Sequence, residues 1–166
     1  FAIKVEDFYV TVKSIFANTV FSKVIEEEFL ESFLGYDIES AEPSFPDHGR
    51  ADFLLEKDGD KAYVEVKSCT HVENGVAKFP DRPTERGRRH IRSLIGLAEK
   101  GVESRLVFVV QRRDAEEFRP FKRVDPEFAE LLSEARDRGV GLDAISIDFD
   151  PPIVSLVDGN LPIKIE

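Results

Sequence analysis

Five consecutive apolar residues, Leu106-Val107-Phe108-Val109-Val110, leave no polar position for a solvent-facing side. Side chains of a strand alternate between two faces, so this run describes a strand buried on both. The chain must therefore build a sheet with cover on each face. An apolar content of 42% over 166 residues suffices for a well-filled core, and one compact unit spanning residues 1–166 is expected. The run is far short of the roughly 20 residues that span a bilayer, and no signal-peptide pattern opens the chain. A soluble, cytoplasmic protein with no membrane partner is expected. The sequence starts at Phe1 and contains no methionine, which suggests a piece of a longer chain.

Amphipathic segments supply the cover. Thr84 caps a helix whose Ile91, Leu94, Ile95 and Ala98 form one stripe ending near Gly101. Asp125-Pro126 opens another, with Phe128, Leu131, Leu132 and Ala135 inward until Gly139. A third is predicted from Asn18 as N-cap, through Phe21, Val24, Ile25, Phe29 and Phe33, to a stop at Gly35. Strand-like runs occupy residues 8–12, 38–42, 50–56, 61–67 and 144–149. A loop containing Gly75, Pro80 and Pro83 precedes the Thr84 helix, and a closing hairpin pairs 153–157 with 161–165 across Asp158-Gly159-Asn160. This order describes an α/β class, a mixed β-sheet flanked by helices.

The runs 50–56 and 61–67 flank Asp58-Gly59, among the strongest two-residue hairpin signals. With that pair at the turn, Lys57 faces Asp60 and Asp52 falls opposite Glu65. Alternation then puts Ala51, Phe53, Leu55, Ala62, Val64 and Val66 on a wholly apolar core face. The other face carries Arg50, Asp52, Leu54 and Glu56 with Lys61, Tyr63, Glu65 and Lys67. Two carboxylates opposed across adjacent strands repel, and a divalent cation reverses the sign. Magnesium suits a pair of carboxylates completed by water and phosphate oxygens, and Lys67 can neutralise charge at phosphorus. Glu-x-Lys alone decides nothing, since about two acid-x-Lys matches arise by chance in this composition. The opposed acid on the face away from the core is the informative part, against the alternative of a solvated polar face. Zinc is not expected. Cys69 stands alone, and His48, His71 and His90 lack metal-ligand spacing.

The net charge of −10 disfavours an anionic polymer partner until its distribution is considered. Residues 1–81 hold 8 Lys and Arg against 17 Asp and Glu, residues 82–123 hold 12 against 6, and residues 124–166 hold 3 against 10. The basic middle permits a local phosphate-binding surface. Arg82, Arg86, Arg88, Arg89 and Arg92 crowd one loop and helix start, and arginine forks match phosphate geometry. A solvated helix face is the alternative. Gly87, inside the first turn, permits close backbone approach. His90 reads as a packed or hydrogen-bonded histidine rather than a base.

Several blocks together resemble a known family. They are Arg50-Ala51-Asp52-Phe53-Leu54-Leu55, Tyr63-Val64-Glu65-Val66-Lys67-Ser68, Phe79-Pro80-Asp81, Thr84-Glu85-Arg86-Gly87-Arg88-Arg89-His90 and Asp125-Pro126-Glu127-Phe128-Ala129. In this order they resemble the sugar fermentation stimulation protein A family over most of the chain. The resemblance implies a restriction-endonuclease-like domain with a PD-(D/E)XK site, DNA as partner, and Mg2+ or Mn2+ as cofactor. It makes Asp52, Glu65 and Lys67 the catalytic set and Asp52, Glu65 and Val66 the metal ligands, and the five arginines, from their own crowding, are the expected DNA contacts. Ala51 stands where the motif name has proline. The family also carries an N-terminal OB-like domain, so residues 1–15 are expected to be the connection from it. Two activities stay open beside each other, a metal-dependent nuclease and a non-cleaving DNA-binding regulator of sugar metabolism, with a small-molecule phosphohydrolase as a third. The oligomeric state is open, a homodimer included.

Overall fold

The computed structural model describes residues 2–5, 8–11, 15–47 and 49–165, so Val12 of the first predicted strand and His48 lie outside the described residues. Strands β1 (Ala2–Val5) and β2 (Phe8–Thr11) pair as a separate two-stranded sheet, and helix α1 (Ile15–Glu26) follows. The centre is a six-stranded mixed sheet. Its strands are β3 (Asp37–Ala41), β4 (Phe53–Lys57), β5 (Asp60–Cys69), β8 (Glu103–Val110), β10 (Gly141–Asp150) and β11 (Ile153–Asp158), in the spatial order β11-β10-β8-β5-β4-β3. The segment after β5 is more than the expected loop, since β6 (Val72–Glu73), β7 (Val76–Phe79) and β9 (Glu117–Pro120) form a three-stranded sheet. Strands β5, β8 and β10 run parallel, while β3-β4-β5 and β10-β11 pair antiparallel. Parallel neighbours need long crossovers. These contain helix α2 (Glu85–Ala98) between β5 and β8, and α3 (Pro126–Asp137) between β8 and β10.

The apolar run behaves as its composition requires. Leu106, Phe108 and Val110 pack in one core with Ile91, Leu94, Phe128 and Leu132 of α2 and α3. Val107 and Val109 pack in a second core with Phe21 and Val24 of α1 and with Phe53, Leu55 and Val64. All five residues of the run have no accessible surface. Both caps of the α2–α3 layer form as expected, Thr84 accepting from the Gly87 N–H and Asp125 from the Phe128 N–H. Among the described residues, no helix is long and apolar enough to cross a membrane.

Three further expectations need correction. Helix α1 starts at Ile15 and ends at Glu26, so Asn18 lies inside it, and residues 31–33 form a separate 3-10 turn before Gly35. The stretch expected to continue it includes Phe29, which is 60% exposed. The closing hairpin is displaced. Strand β11 folds back on β10 across Pro151-Pro152, and of residues 161–165 only Ile163 forms a bridge, to Phe118. Pairing β11 with β10 covers an edge that a 153–157 to 161–165 pairing leaves open. Finally, Ala51 belongs to the core beneath α2 rather than to that of Phe53 and Leu55.

Candidate functional site

The β4–β5 turn is the one Asp58-Gly59 predicts. Both residues have positive φ, 54° and 92°, and the ladder runs from Lys57↔Asp60 to Phe53↔Val64. There the ladder stops. The Asp52 N–H donates to the Val64 carbonyl at 3.1 Å, its own carbonyl accepts from Glu42, and the Ala51 N–H turns to Pro43. This one-residue slip reverses the facing of what precedes it, which is why Ala51 leaves the core of Phe53. Asp52 is therefore not a ladder partner of Glu65. Instead its carboxylate continues the ladder as a side chain, accepting the Val66 N–H at 2.8 Å and the Asn18 amide at 2.9 Å. A β5 amide just beyond the end of the β4 ladder thus bonds a carboxylate where a strand carbonyl would stand.

Glu65 sits in the middle of β5, opposite Leu106 of β8, and is 3% exposed. The expected polar face is not solvated at this point, because α2 covers it. Oε1 of Glu65 accepts from Lys67 Nζ at 2.5 Å and from His90 Nδ1. Oε2 is buried with no hydrogen-bond partner. Burial pushes the Asp52 carboxyl above its ordinary value, and the Glu65 charge pushes in the same direction. Burial also raises Glu65, but the hydrogen bond from His90 and the charge of Lys67 outweigh it and hold the group below its ordinary value. The two acids are therefore driven apart in acidity while lying in each other's field.

Among the described residues, no three His, Cys, Asp or Glu side chains gather closely enough to cage an ion by themselves. Two carboxylates do fit a hard cation that keeps water and takes phosphate oxygens for the rest of its shell. The bare, buried Oε2 fits it as well, since a buried carboxylate oxygen normally finds a partner. Asp52, Glu65, Val66 and Lys67 are thus brought to one place. Asn18 and His90 join them without having been singled out for it. Gln111, 1% exposed, donates to Ser68 Oγ at 2.7 Å and accepts the Thr11 N–H, anchoring the end of β5 just beyond Lys67.

The arginines separate into two groups. Arg88 is largely buried and donates to both carboxylate oxygens of Asp125 at 2.9 Å, while also pairing with Glu85 and Glu127. Arg92 pairs with Glu127 at 2.5 Å. These two, expected at phosphate, tie α2 to α3 in the structure. The side chains of Arg82, Arg86 and Arg89 are exposed and enter no ion pair or hydrogen bond among the described residues. Arg86 lies four residues before His90, on the helix stripe that leads to the site. Gly87 is needed for a different approach from the one expected: a Cβ there would stand 2.8 Å from Cγ2 of the capping Thr84.

A central mixed sheet flanked by helices, carrying two acids and a lysine at the end of the β4 ladder, defines a restriction-endonuclease-like α/β domain. The family model for the sugar fermentation stimulation protein RE domain matches residues 15–152. The chain belongs to that family. Curated sugar fermentation stimulation protein homologs resemble it closely: that of Moorella thermoacetica is 39% identical over 150 residues, covering 90% of this chain and 64% of the relative. That of Methanothermobacter thermautotrophicus is 40% identical over 149 residues, covering 90% and 62%. The chain therefore spans a little under two thirds of these relatives. The solved structure of Pyrococcus furiosus SfsA in complex with Ca2+ superposes with a TM-score of 0.93 at 31% identity, covering 99% of this chain and 71% of that one.

Proposed function

We propose that this protein is a divalent-cation-dependent phosphodiesterase of the nuclease type acting on DNA, using Mg2+ or Mn2+. The observation that carries the reading is Glu65 Oε2, a buried carboxylate oxygen left bare in the field of a second, half-buried acid, Asp52. Such an arrangement is costly unless a cation completes it. The Ca2+ held by the Pyrococcus furiosus relative supports a hard-cation site in this fold. Asp52 and Glu65, with the Val66 peptide carbonyl, would hold the ion. When bound, it supplies Lewis acidity toward the phosphate and acidifies a coordinated water. The protein's own contribution is positioning and charge. Rigid strands hold both acids, Asn18 and the Val66 N–H fix Asp52, and Lys67 Nζ offers a positive charge to the phosphate as it gains negative charge. Among the five crowded arginines, Arg82, Arg86 and Arg89 are the ones available to the DNA backbone.

The test compares wild type and Lys67→Ala on single-stranded, double-stranded and branched DNA, with and without Mg2+ or Mn2+. The whole protein is assayed alongside this chain. The expected result is metal-dependent cleavage by wild type and a rate lower by about 100-fold or more in the variant, with DNA affinity changed little. If wild type cuts no DNA form with either ion, the nuclease reading fails. A DNA-holding regulator then accounts for the site better.

A further inference from the structure

We infer that His90 is a positioning residue for the cation site, setting which oxygen of Glu65 is presented to the metal. The inference rests on the metal reading above and adds a role to a side chain outside the acid-acid-lysine set. Oε1 of Glu65 receives both Lys67 Nζ and His90 Nδ1, whereas Oε2 receives nothing. An ionised carboxylate only accepts, so Nδ1 carries the proton and donates it. A lysine ammonium is a compact charge on a flexible stem with three rotatable donors, and by itself it can follow either oxygen. A histidine ring held in place cannot. His90 therefore fixes the carboxylate torsion, and Lys67 shares the oxygen that His90 has selected.

The ring is held from several directions. Its other neighbour is Phe45, edge-on at 6.0 Å between centroids and 68° between planes, and Phe45 in turn stacks on Tyr63 of β5. The His90 side chain is 12% exposed. Helix α2 cannot readily turn about its axis. Thr84 and Arg88 fasten its first turns to Asp125 of the α3 cap, and Ser93 donates to Asp47 one turn beyond His90. The helix thus delivers a rigid donor to a buried acid on the neighbouring sheet. Hydrogen-bond partners of metal ligands act in this way, by orienting the ligand before the ion arrives.

The experiment is calorimetric titration with Mn2+ alone, on wild type, His90→Ala, His90→Asn and His90→Gln, each checked for folding by thermal melting. Asparagine places an amide donor near the position of Nδ1, whereas glutamine places one near Nε2. Loss of the donor should weaken Mn2+ affinity by about 10- to 100-fold in His90→Ala and His90→Gln. His90→Asn should remain within a few-fold of wild type, a rescue that a packing role does not produce. Where the alanine variant fails to fold, the Asn–Gln contrast decides. Wild-type affinity in His90→Gln or His90→Ala, or equal losses in the asparagine and glutamine variants, would overturn the role of His90 alone. Absence of Mn2+ binding by wild type would instead remove the metal reading, and the positioning role with it.

Discussion

Asp52 and Glu65 illustrate how a site can oppose its own fold. The protonated form of Asp52 is favoured by folding, so its ionisation costs stability as pH rises from its ordinary value through its elevated folded one. Glu65 has the opposite sign: its ionised form is favoured by folding, and that stability is lost as pH falls through its depressed folded value. Asp52→Asn removes the first cost while an amide oxygen can still accept the Val66 N–H. Without metal, the variant should melt higher than wild type near pH 7 and show less of that gain as pH falls toward the ordinary carboxyl value, where the raised Asp52 carboxyl takes up its proton. With Mg2+ added, wild type should gain stability and the variant should not. Thermal melts in chelator and in Mg2+ check both halves; an equal gain across that pH range would contradict the electrostatic account.

The elements of the site differ in how plainly the sequence announces them. The β4–β5 hairpin is legible because Asp58-Gly59 permits a tight turn and the alternation continues on both sides. The slip at Asp52 is not, since it depends on the backbone of Glu42 and Pro43, which only the fold of the intervening loop brings beside it. Asn74-Gly75 carries the same turn signal, with φ of 52° and 77°, but its flanking strands of two and four residues are too short for periodicity to mark them. His90 is visible as a residue, though only the crossover places α2 over Glu65. Helix α2 also supplies a sharp sign test. Gly→Ala inside a helix normally stabilises by about 1 kcal/mol, but at Gly87 the new Cβ meets the capping Thr84. Gly87→Ala should therefore destabilise, by about 1 kcal/mol through loss of the cap, as urea unfolding would measure.

At the scale of the molecule, about half of the basic middle of the sequence is engaged in ion pairs within the fold. Arg105 pairs with Asp143, Arg113 with Asp148, and Arg88 with Asp125, each joining the basic segment to the acidic one that follows. Charge counted along the chain could locate the surplus but not divide it between internal ion pairs and surface. Because Arg82, Arg86 and Arg89 remain exposed, replacing the three with alanine should flatten the salt dependence of DNA binding by about 0.9 for each phosphate left without its arginine. Replacing Arg88 and Arg92 should leave that slope nearly unchanged and lower the melting temperature by about 3 °C or more, because Asp125 loses its guanidinium. A slope that responds to the second pair and not to the first three would reverse the division.

The bond from the Val66 N–H to Asp52 has a spectroscopic consequence. A strand amide ordinarily meets a neutral carbonyl, but this one meets an acid whose charge changes with protonation and with any cation beside it. Charge-assisted bonds are shorter and stronger than neutral ones, so the Val66 amide proton should resonate unusually far downfield in metal-free protein near neutral pH. Titration with Mg2+ draws carboxylate density toward the ion, and the resonance should move upfield in step with binding. Asp52→Asn should place it upfield from the outset and leave it unresponsive to the ion. One backbone nucleus in the middle of the sheet then reads the occupancy of the site directly, without substrate.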